Sequence, residues 1–317
     1  MPIHPSQPPD EPVDLRVAVV IPCLDEEATI GKVVEDLKGD LPGARIYVFD
    51  NGSRDRTAEI ARRSGAIVVP SPRRGKGHVI RHMASVVDAD AYLLVDGDDT
   101  YPAGEAPGLL RRFRESGVDM VVATRLDAHD DEAFRIFHKL GNRLIARTIS
   151  VLFRAPITDV LSGYRVLSRD FVRLVHLRSG GFEIETEMTL QALAKGLSIL
   201  EVPVPYGRRP EGSTSKLDTW KDGFLILKCI FLLFKDYKPF VFFGSLAALL
   251  VVLSLAAGSA PILDFVRTGY VVHVPRAILA AGLATLGALS FGVGLILDTI
   301  SRYHEETLEL WKRSLRD

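Results

Sequence analysis

Two stretches of this chain, Pro239–Leu263 and Ala277–Leu297, contain no charged residue. As helices rising about 1.5 Å per residue, each is long enough to cross roughly 30 Å of hydrocarbon. The alternative is a helical hairpin buried in a soluble core, and soluble folds rarely hold two such runs. Mean hydropathy is +0.15 although 25% of the 317 residues are charged, so the apolar excess is concentrated in these runs. Gly282, Gly287, Gly292 and Gly294 suit close helix–helix packing in lipid. Lys221, Lys228, Lys235 and Lys238 precede the first run, and Arg302, Lys312, Arg313 and Arg316 follow the second. Between them, Asp264–Arg276 carries only Arg267 and Arg276 among lysines and arginines. This bias predicts a two-helix transmembrane hairpin over 239–298 in the inner or plasma membrane. The large N-terminal part and a tail helix over 299–317 then lie on the cytoplasmic side. Met1–Asp14 is polar with five prolines and reads as a disordered tail over 1–15, not as a signal peptide.

Charge and cysteine usage narrow the class. Thirty-nine basic against 40 acidic residues give a net charge of -1, which argues against nucleic acid as a partner. Cys23 and Cys229 are too few for a disulfide framework and point to a reducing compartment. No internal repeat is visible.

From residue 16 onward the pattern alternates strand and helix. Arg16–Pro22 is a β-branched run ended by proline, and Glu27–Leu37 has helical spacing. The same alternation repeats through strands at Arg45–Phe49, Ala66–Val69, Tyr92–Val95 and Asp119–Ala123, with helices at Asp55–Ser64, Lys76–Val87 and Glu105–Ser116. This order predicts an α/β fold with a mostly parallel twisted sheet and helices on both faces, over a domain at 16–216. Ligands of such sheets bind beyond the carboxyl ends of the strands.

Acidic residues gather at those ends. Strand one runs into Pro22-Cys23-Leu24-Asp25-Glu26, strand two into Asp50-Asn51-Gly52-Ser53, and strand four into Asp96-Gly97-Asp98-Asp99-Thr100. Asp25 and Ser53 also suit plain helix N-caps. Three acidic ends together repel one another unless a positive group sits between them. Asp96 and Asp98, at i and i+2 around Gly97, suit Mg²⁺ or Mn²⁺ completed by substrate phosphate and water. Arg73-Arg74-Gly75-Lys76-Gly77 is a basic glycine-rich turn whose N–H groups and Lys76 suit a phosphate; its alternative is a solvated turn. Neither Gly-x-Gly-x-x-Gly after strand one nor a Walker A motif is present, which disfavours a dinucleotide oxidoreductase and a P-loop ATPase.

The stretches VVIPCLDEEATIG, FDNGSRDRT, RRGKGHVIRHM and LLVDGDDTYP resemble, in order and spacing, the motifs of family 2 glycosyltransferases of the GT-A fold. Thr158–Arg165 (TDVLSGYR), Val202–Lys216 and the two apolar runs are similar to the polyprenyl-phosphate subgroup, which includes dolichyl-phosphate mannose synthase and the two-span GtrB type. The resemblance covers about Val17 to Leu297. It implies that Pro22, Leu24, Glu26 and Asp50 hold the base and ribose of a nucleotide sugar, with Ser53, Lys76 and Gly97 beside them. It implies that Asp96 contacts ribose or metal, that Asp98 ligates the metal, and that Arg125 meets phosphate. Arg209 (or Arg208) and Lys216 then close over the diphosphate. Dolichyl-phosphate mannose synthases place Gln where this chain has Thr100, which leaves Asp99 as a substitute ligand.

The resemblance further implies inverting transfer of one sugar to a polyprenyl phosphate such as undecaprenyl phosphate. A phosphate monoester, with a second pKa near about 6, needs no strong general base to attack. UDP-glucose or a UDP-N-acetylhexosamine is the favoured donor, with GDP-mannose the alternative. Glu183 and Glu185 stand where relatives carry an acceptor-orienting acid, or form an acidic helix start. Arg135, Lys139, Arg143 and Arg147 share one side of a predicted helix over 133–154, and no acidic residue lies between Ala133 and Ala155. That pattern suits an anionic lipid surface, the alternative being a solvated basic face. A second interfacial helix is predicted over 217–238, with Trp220, Phe224, Leu227, Phe231 and Phe234 on one side. Asp159, Ser162 and Arg165 are expected beside the first helix, and Arg125, Arg147, Ser162 and Arg165 are candidates for gripping the lipid phosphate, with Arg165 nearly as well suited to a structural ion pair. The tail helix suits packing between copies in a homo-oligomer such as a tetramer. Rival readings are a processive polysaccharide synthase, which lacks support because Gln-x-x-Arg-Trp is absent, and a non-catalytic membrane scaffold.

Overall fold

The computed structural model describes residues 15–126, 142, 145–151, 153–181, 183–207 and 219–314. Five of the strands follow the apolar runs: β1 Val17–Cys23, β2 Arg45–Asp50, β3 Ile67–Pro70, β4 Ala91–Leu94 and β5 Met120–Leu126. Helices α1 Ile30–Asp40, α2 Thr57–Arg63, α3 Lys76–Val86 and α4 Ala106–Ser116 connect them. A left-handed Gly117 (φ 61°) stops α4. Four further elements complete this part: β6 Arg165–Ser168, α5 Arg169–Leu174, α6 Ile184–Ala194 and β7 Ile199–Pro205.

The seven strands form one sheet in the order β3-β2-β1-β4-β6-β5-β7. Only β6 runs antiparallel to its neighbours, β4 and β5. Buried Val19, Ile21, Val34, Leu37, Val48 and Leu93 pack between sheet and helices. Each such side chain adds about 1.5–3 kcal/mol on burial. β1 leads outward to β2, whereas β4 lies on its other side, so the strand order reverses between β1 and β4. A crevice opens beyond the carboxyl ends at such a point.

The chain divides into two units, one through Ile226 and one from Leu227. Helix α7 (Thr219–Tyr237) leads into α8 (Pro239–Thr268) and α9 (Val274–Ser314). On α7, Phe224, Leu227 and Phe231 are exposed. Phe231 and Phe234 also set their rings against Phe242 of α8, at 5.1 and 5.6 Å. Both α8 and α9 are long and apolar enough to cross a membrane. Leu255, Val266 and Ile278 are 65, 75 and 69% exposed. That corrects the buried-hairpin alternative, because a core hairpin hides such side chains, whereas apolar surface of this extent is stable in lipid. The two helices pair antiparallel: Ser254 Oγ donates to Ala280 O and Ser290 Oγ to Phe243 O. Gly287 packs on Ala247 and Val251, and Gly294 on Phe243, but a Cβ at Gly282 or Gly292 would meet nothing within 4 Å. Only two of the four expected packing glycines therefore serve the pair. Among the described residues α9 runs past Asp298 to Ser314 without a break.

Candidate active site

The loops after β1 and β2 are stitched together by reciprocal hydrogen bonds. Asp25 N–H donates to Ser53 Oγ (3.0 Å), and Arg54 N–H donates to Asp25 Oδ1 (2.7 Å). Glu26 N–H donates to Thr57 Oγ1 (2.8 Å), and Asp50 Oδ1 accepts from Ser53 N–H (3.1 Å). Asp25 sits at φ 51°, a left-handed conformation that aspartate tolerates. The N-cap positions belong instead to Thr29 and Arg56, without side-chain caps. The N-cap reading of Asp25 and Ser53 is thereby corrected. Pro22 and Cys23 pair in register with Phe49 and Asp50. Pro22, Leu24, Asp50 and Ser53 remain part-exposed at the crevice, and Glu26 is buried.

Gly97 lets the end of β4 lie against β1: a Cβ there would be 2.6 Å from Cys23 Sγ. Its carbonyl accepts from Thr29 Oγ1 at 2.7 Å. Asp98 is buried, and its Oδ1 accepts from Thr100 N–H (3.2 Å) and Thr100 Oγ1 (2.6 Å). Thr100 thus orients Asp98. Asp99 is drawn to Lys32 (2.9 Å) on α1, so it is not placed as a substitute ligand. Asp96 remains part-exposed beside Gly97.

Lys76 leaves the glycine-rich turn and bridges two carboxylates, Asp96 at 2.5 Å and Glu185 at 2.6 Å. Burial works against its charge, yet the two facing carboxylates hold its pKa well above the ordinary lysine value. Burial likewise pushes the Glu185 carboxyl up, against the pull of Lys76. The turn's amides are also engaged: Gly75 N–H donates to Asn51 Oδ1 (2.6 Å) and Gly77 N–H to Gly180 O (3.2 Å). The expected phosphate cradle is therefore closed by protein partners, a correction that local sequence did not foreshadow. Glu183 Oε1 accepts from the N–H groups of Gly180 and Gly181 at 3.3 and 3.2 Å.

Arg125, at the end of β5, forms a two-pronged pair with Asp159 and lies 5.7 Å from the Tyr206 ring centroid. Asn142 Nδ2 donates to the same carboxylate at 3.1 Å. Glu201 on β7 accepts from the N–H groups of Thr158 and Asp159, fixing that loop. Ser162 and Arg165 are fully buried. Ser162 Oγ donates to Ala123 O (2.6 Å). Arg165 donates to Val160 O (2.9 Å), Ser162 O (2.8 Å) and Thr189 Oγ1 (2.8 Å). Neither meets an acceptor at the surface, so both are corrected to structural residues. Arg147 is exposed on a helical stretch at 145–151. Arg135, Lys139, Arg143, Arg208, Arg209 and Lys216 lie outside the described residues, and so does most of the helix expected over 133–154.

Sequence reading missed Asp159 as the partner of Arg125, and Glu185 as the partner of Lys76.

The profile of Glycosyl transferase family 2 matches residues 18–174. Glycosyltransferase AglJ of Haloferax volcanii is 31% identical over 304 residues, covering 94% of this chain and 98% of AglJ. The chain belongs to glycosyl transferase family 2. This family 2 glycosyltransferase is also 31% identical to the dolichyl-phosphate hexose transferase of Haloferax volcanii, over 68% of this chain and 92% of that one. Its fold is shared with glucosyl-3-phosphoglycerate synthase of Mycobacterium tuberculosis, whose crystal structure contains Mn²⁺, UDP and glucosyl-3-phosphoglycerate. The TM-score is 0.58 at 22% identity, over 69% of this chain and 80% of that chain. The architecture is thus GT-A-like.

Proposed function

We propose that this family 2 enzyme transfers one sugar from a nucleotide sugar, a UDP-sugar by preference, to a polyprenyl phosphate at the cytoplasmic face of the membrane. The observation that carries this reading is the strand order, in which Asp50 ends β2 and Asp96 and Asp98 follow β4 on either side of β1. The exposed apolar helices α8 and α9 support a lipid acceptor, as does the name of the dolichyl-phosphate hexose transferase relative. Mn²⁺ and UDP in the structural neighbour support the donor class.

Pro22, Leu24, Glu26, Asp50 and Ser53 hold base and ribose in this reading. Asp96 and Asp98 offer hard oxygen ligands, which fit Mg²⁺ or Mn²⁺. Among the described residues no third such group joins them, so substrate phosphate and water would complete the shell of a bound ion. A bound divalent ion supplies charge stabilisation of the departing diphosphate. Arg125, aligned by Asp159, and Lys216 with Arg209 add positive charge there. A phosphate oxygen of the lipid attacks the anomeric carbon, the bond to the nucleotide diphosphate breaks, and configuration inverts. Arg147 and the exposed apolar side chains of α7 keep the acceptor end at the bilayer surface. The basic flanks of α8 and α9 set both on the cytoplasmic side.

A panel of labelled UDP- and GDP-sugars, presented with undecaprenyl phosphate and Mn²⁺, tests this reading. Lipid label from one donor is the expected result. Nucleotide binding without lipid label from any donor would overturn the lipid acceptor.

A further inference from the structure

Asp96, Lys76 and Glu185 form a row brought together by elements far apart in the chain. Lys76, in the first turn of α3, takes Asp96 Oδ1. Glu185, in the first turn of α6, takes the same ammonium from the other side. The backbone of Gly163 lies against the row: a Cβ there would lie 2.5 Å from Asp96 Oδ2 and 2.8 Å from Lys76 Nζ. Exposure rises along the row, from 4% for the Glu185 side chain and 11% for Lys76 to 27% for Asp96. Among the described residues Glu185 Oε2 is buried without a hydrogen-bond partner, while Oε1 meets Lys76 Nζ.

One ammonium shared by two carboxylates neutralises neither fully. With Glu185 charged, part of the Lys76 field is taken up on the buried side, and Asp96 keeps net negative character toward the crevice. With Glu185 neutral, Lys76 is given over to Asp96 and weakens its pull on any cation. The bare Cα of Gly163 leaves the pair room for this geometry.

We propose that Glu185 is a positioning residue of the donor site, acting through Lys76 to set the direction and the effective charge of Asp96 for the divalent-ion complex of a nucleoside diphosphate. Gly163 is required for the same reason. The inference rests on the reading above that Asp96 belongs to the donor site. Outer partners of a metal ligand typically change metal affinity by about 10–100-fold when lost.

The test is calorimetric binding of UDP to the purified full chain in detergent, with Mn²⁺ and with EDTA, for wild type, Glu185→Gln and Gly163→Ala. Thermal unfolding of each protein is followed in parallel. Gln keeps the shape of Glu185 and removes its charge. Ala at 163 meets only the far ends of two side chains, so it displaces the pair and spares the backbone. Both variants are expected to weaken Mn²⁺-dependent UDP binding about tenfold or more, with little change in EDTA. A purely structural Glu185 would lower the unfolding temperature and leave the Mn²⁺-dependent part of binding intact; that result overturns the proposal. If Glu185→Gln does not fold, Gly163→Ala decides alone, and unchanged Mn²⁺-dependent binding overturns it. Absence of Mn²⁺-dependent UDP binding by the wild type would instead sink the donor-site reading, and this inference with it.

Discussion

Arg125 reaches Asp159 through two hydrogen bonds, Nε to Oδ2 at 2.8 Å and Nη2 to Oδ1 at 2.9 Å. The pair ties the end of β5 to the loop that enters β6, so the direction of Arg125 is set by Asp159. Burial pushes the Asp159 carboxyl up, but Arg125 opposite it holds the pKa below the ordinary carboxylate value.

That depression fixes a pH dependence. Asp159 contributes stability that is fully present above its unfolded pKa of about 4 and is lost as pH falls through the lower folded value. Asp159→Asn should cost about 2 kcal/mol at neutral pH, at the low side for a buried pair because Arg125 is part-exposed. The gap to wild type should narrow in acid. Denaturant unfolding near neutral pH and below about pH 4 measures it. A gap that does not change with pH would show that the pair adds no linked stability.

Gly97 marks a close approach between the end of β4 and β1. Gly97→Ala should destabilise by about 1–3 kcal/mol, because the new methyl meets Cys23 Sγ. Adding Cys23→Ala should recover part of the loss. Thermal melts of the single and double variants decide, and no recovery would move the cause away from the sulfur.

Arg165 offers a contrast between lipid clamp and internal brace. Arg165→Met strands the carbonyls of Val160 and Ser162, each worth about 1–3 kcal/mol if buried without a donor. The expected outcome is a marked fall in unfolding temperature. An unchanged melt with a raised KM for the lipid alone would restore the clamp.

In the apolar hairpin, Gly287→Leu should cost about 1–3 kcal/mol by forcing α8 and α9 apart. Gly282→Leu should be near neutral, since nothing lies within 4 Å of its Cβ position. Detergent unfolding followed by circular dichroism compares them, and equal effects would contradict the helix pairing.

The first five strands were legible because each is a short apolar run that ends in polar residues. β7 was hidden because Pro203 and Pro205 interrupt it, which its place at the sheet edge tolerates. β6 is only four residues long and begins with an arginine. α6 buries Glu185, Glu187 and Gln191 along with its apolar residues, so no amphipathic stripe marks it. At the site, residue types and strand-end positions could be read, but partners could not. Whether Lys76 faces solvent, a phosphate or Glu185 depends on a helix that follows much later in the chain. Two of the acceptors of Arg165 are backbone carbonyls, which carry no sequence signature.

The most direct measurement is the movement of label from a nucleotide sugar into the lipid phase by the purified protein with undecaprenyl phosphate and Mn²⁺, repeated with EDTA and with Asp98→Ala. The expected result is lipid label that disappears in both controls. Label that survives loss of the metal and of the Asp98 carboxylate, or that stays in the aqueous phase with wild type, would contradict it.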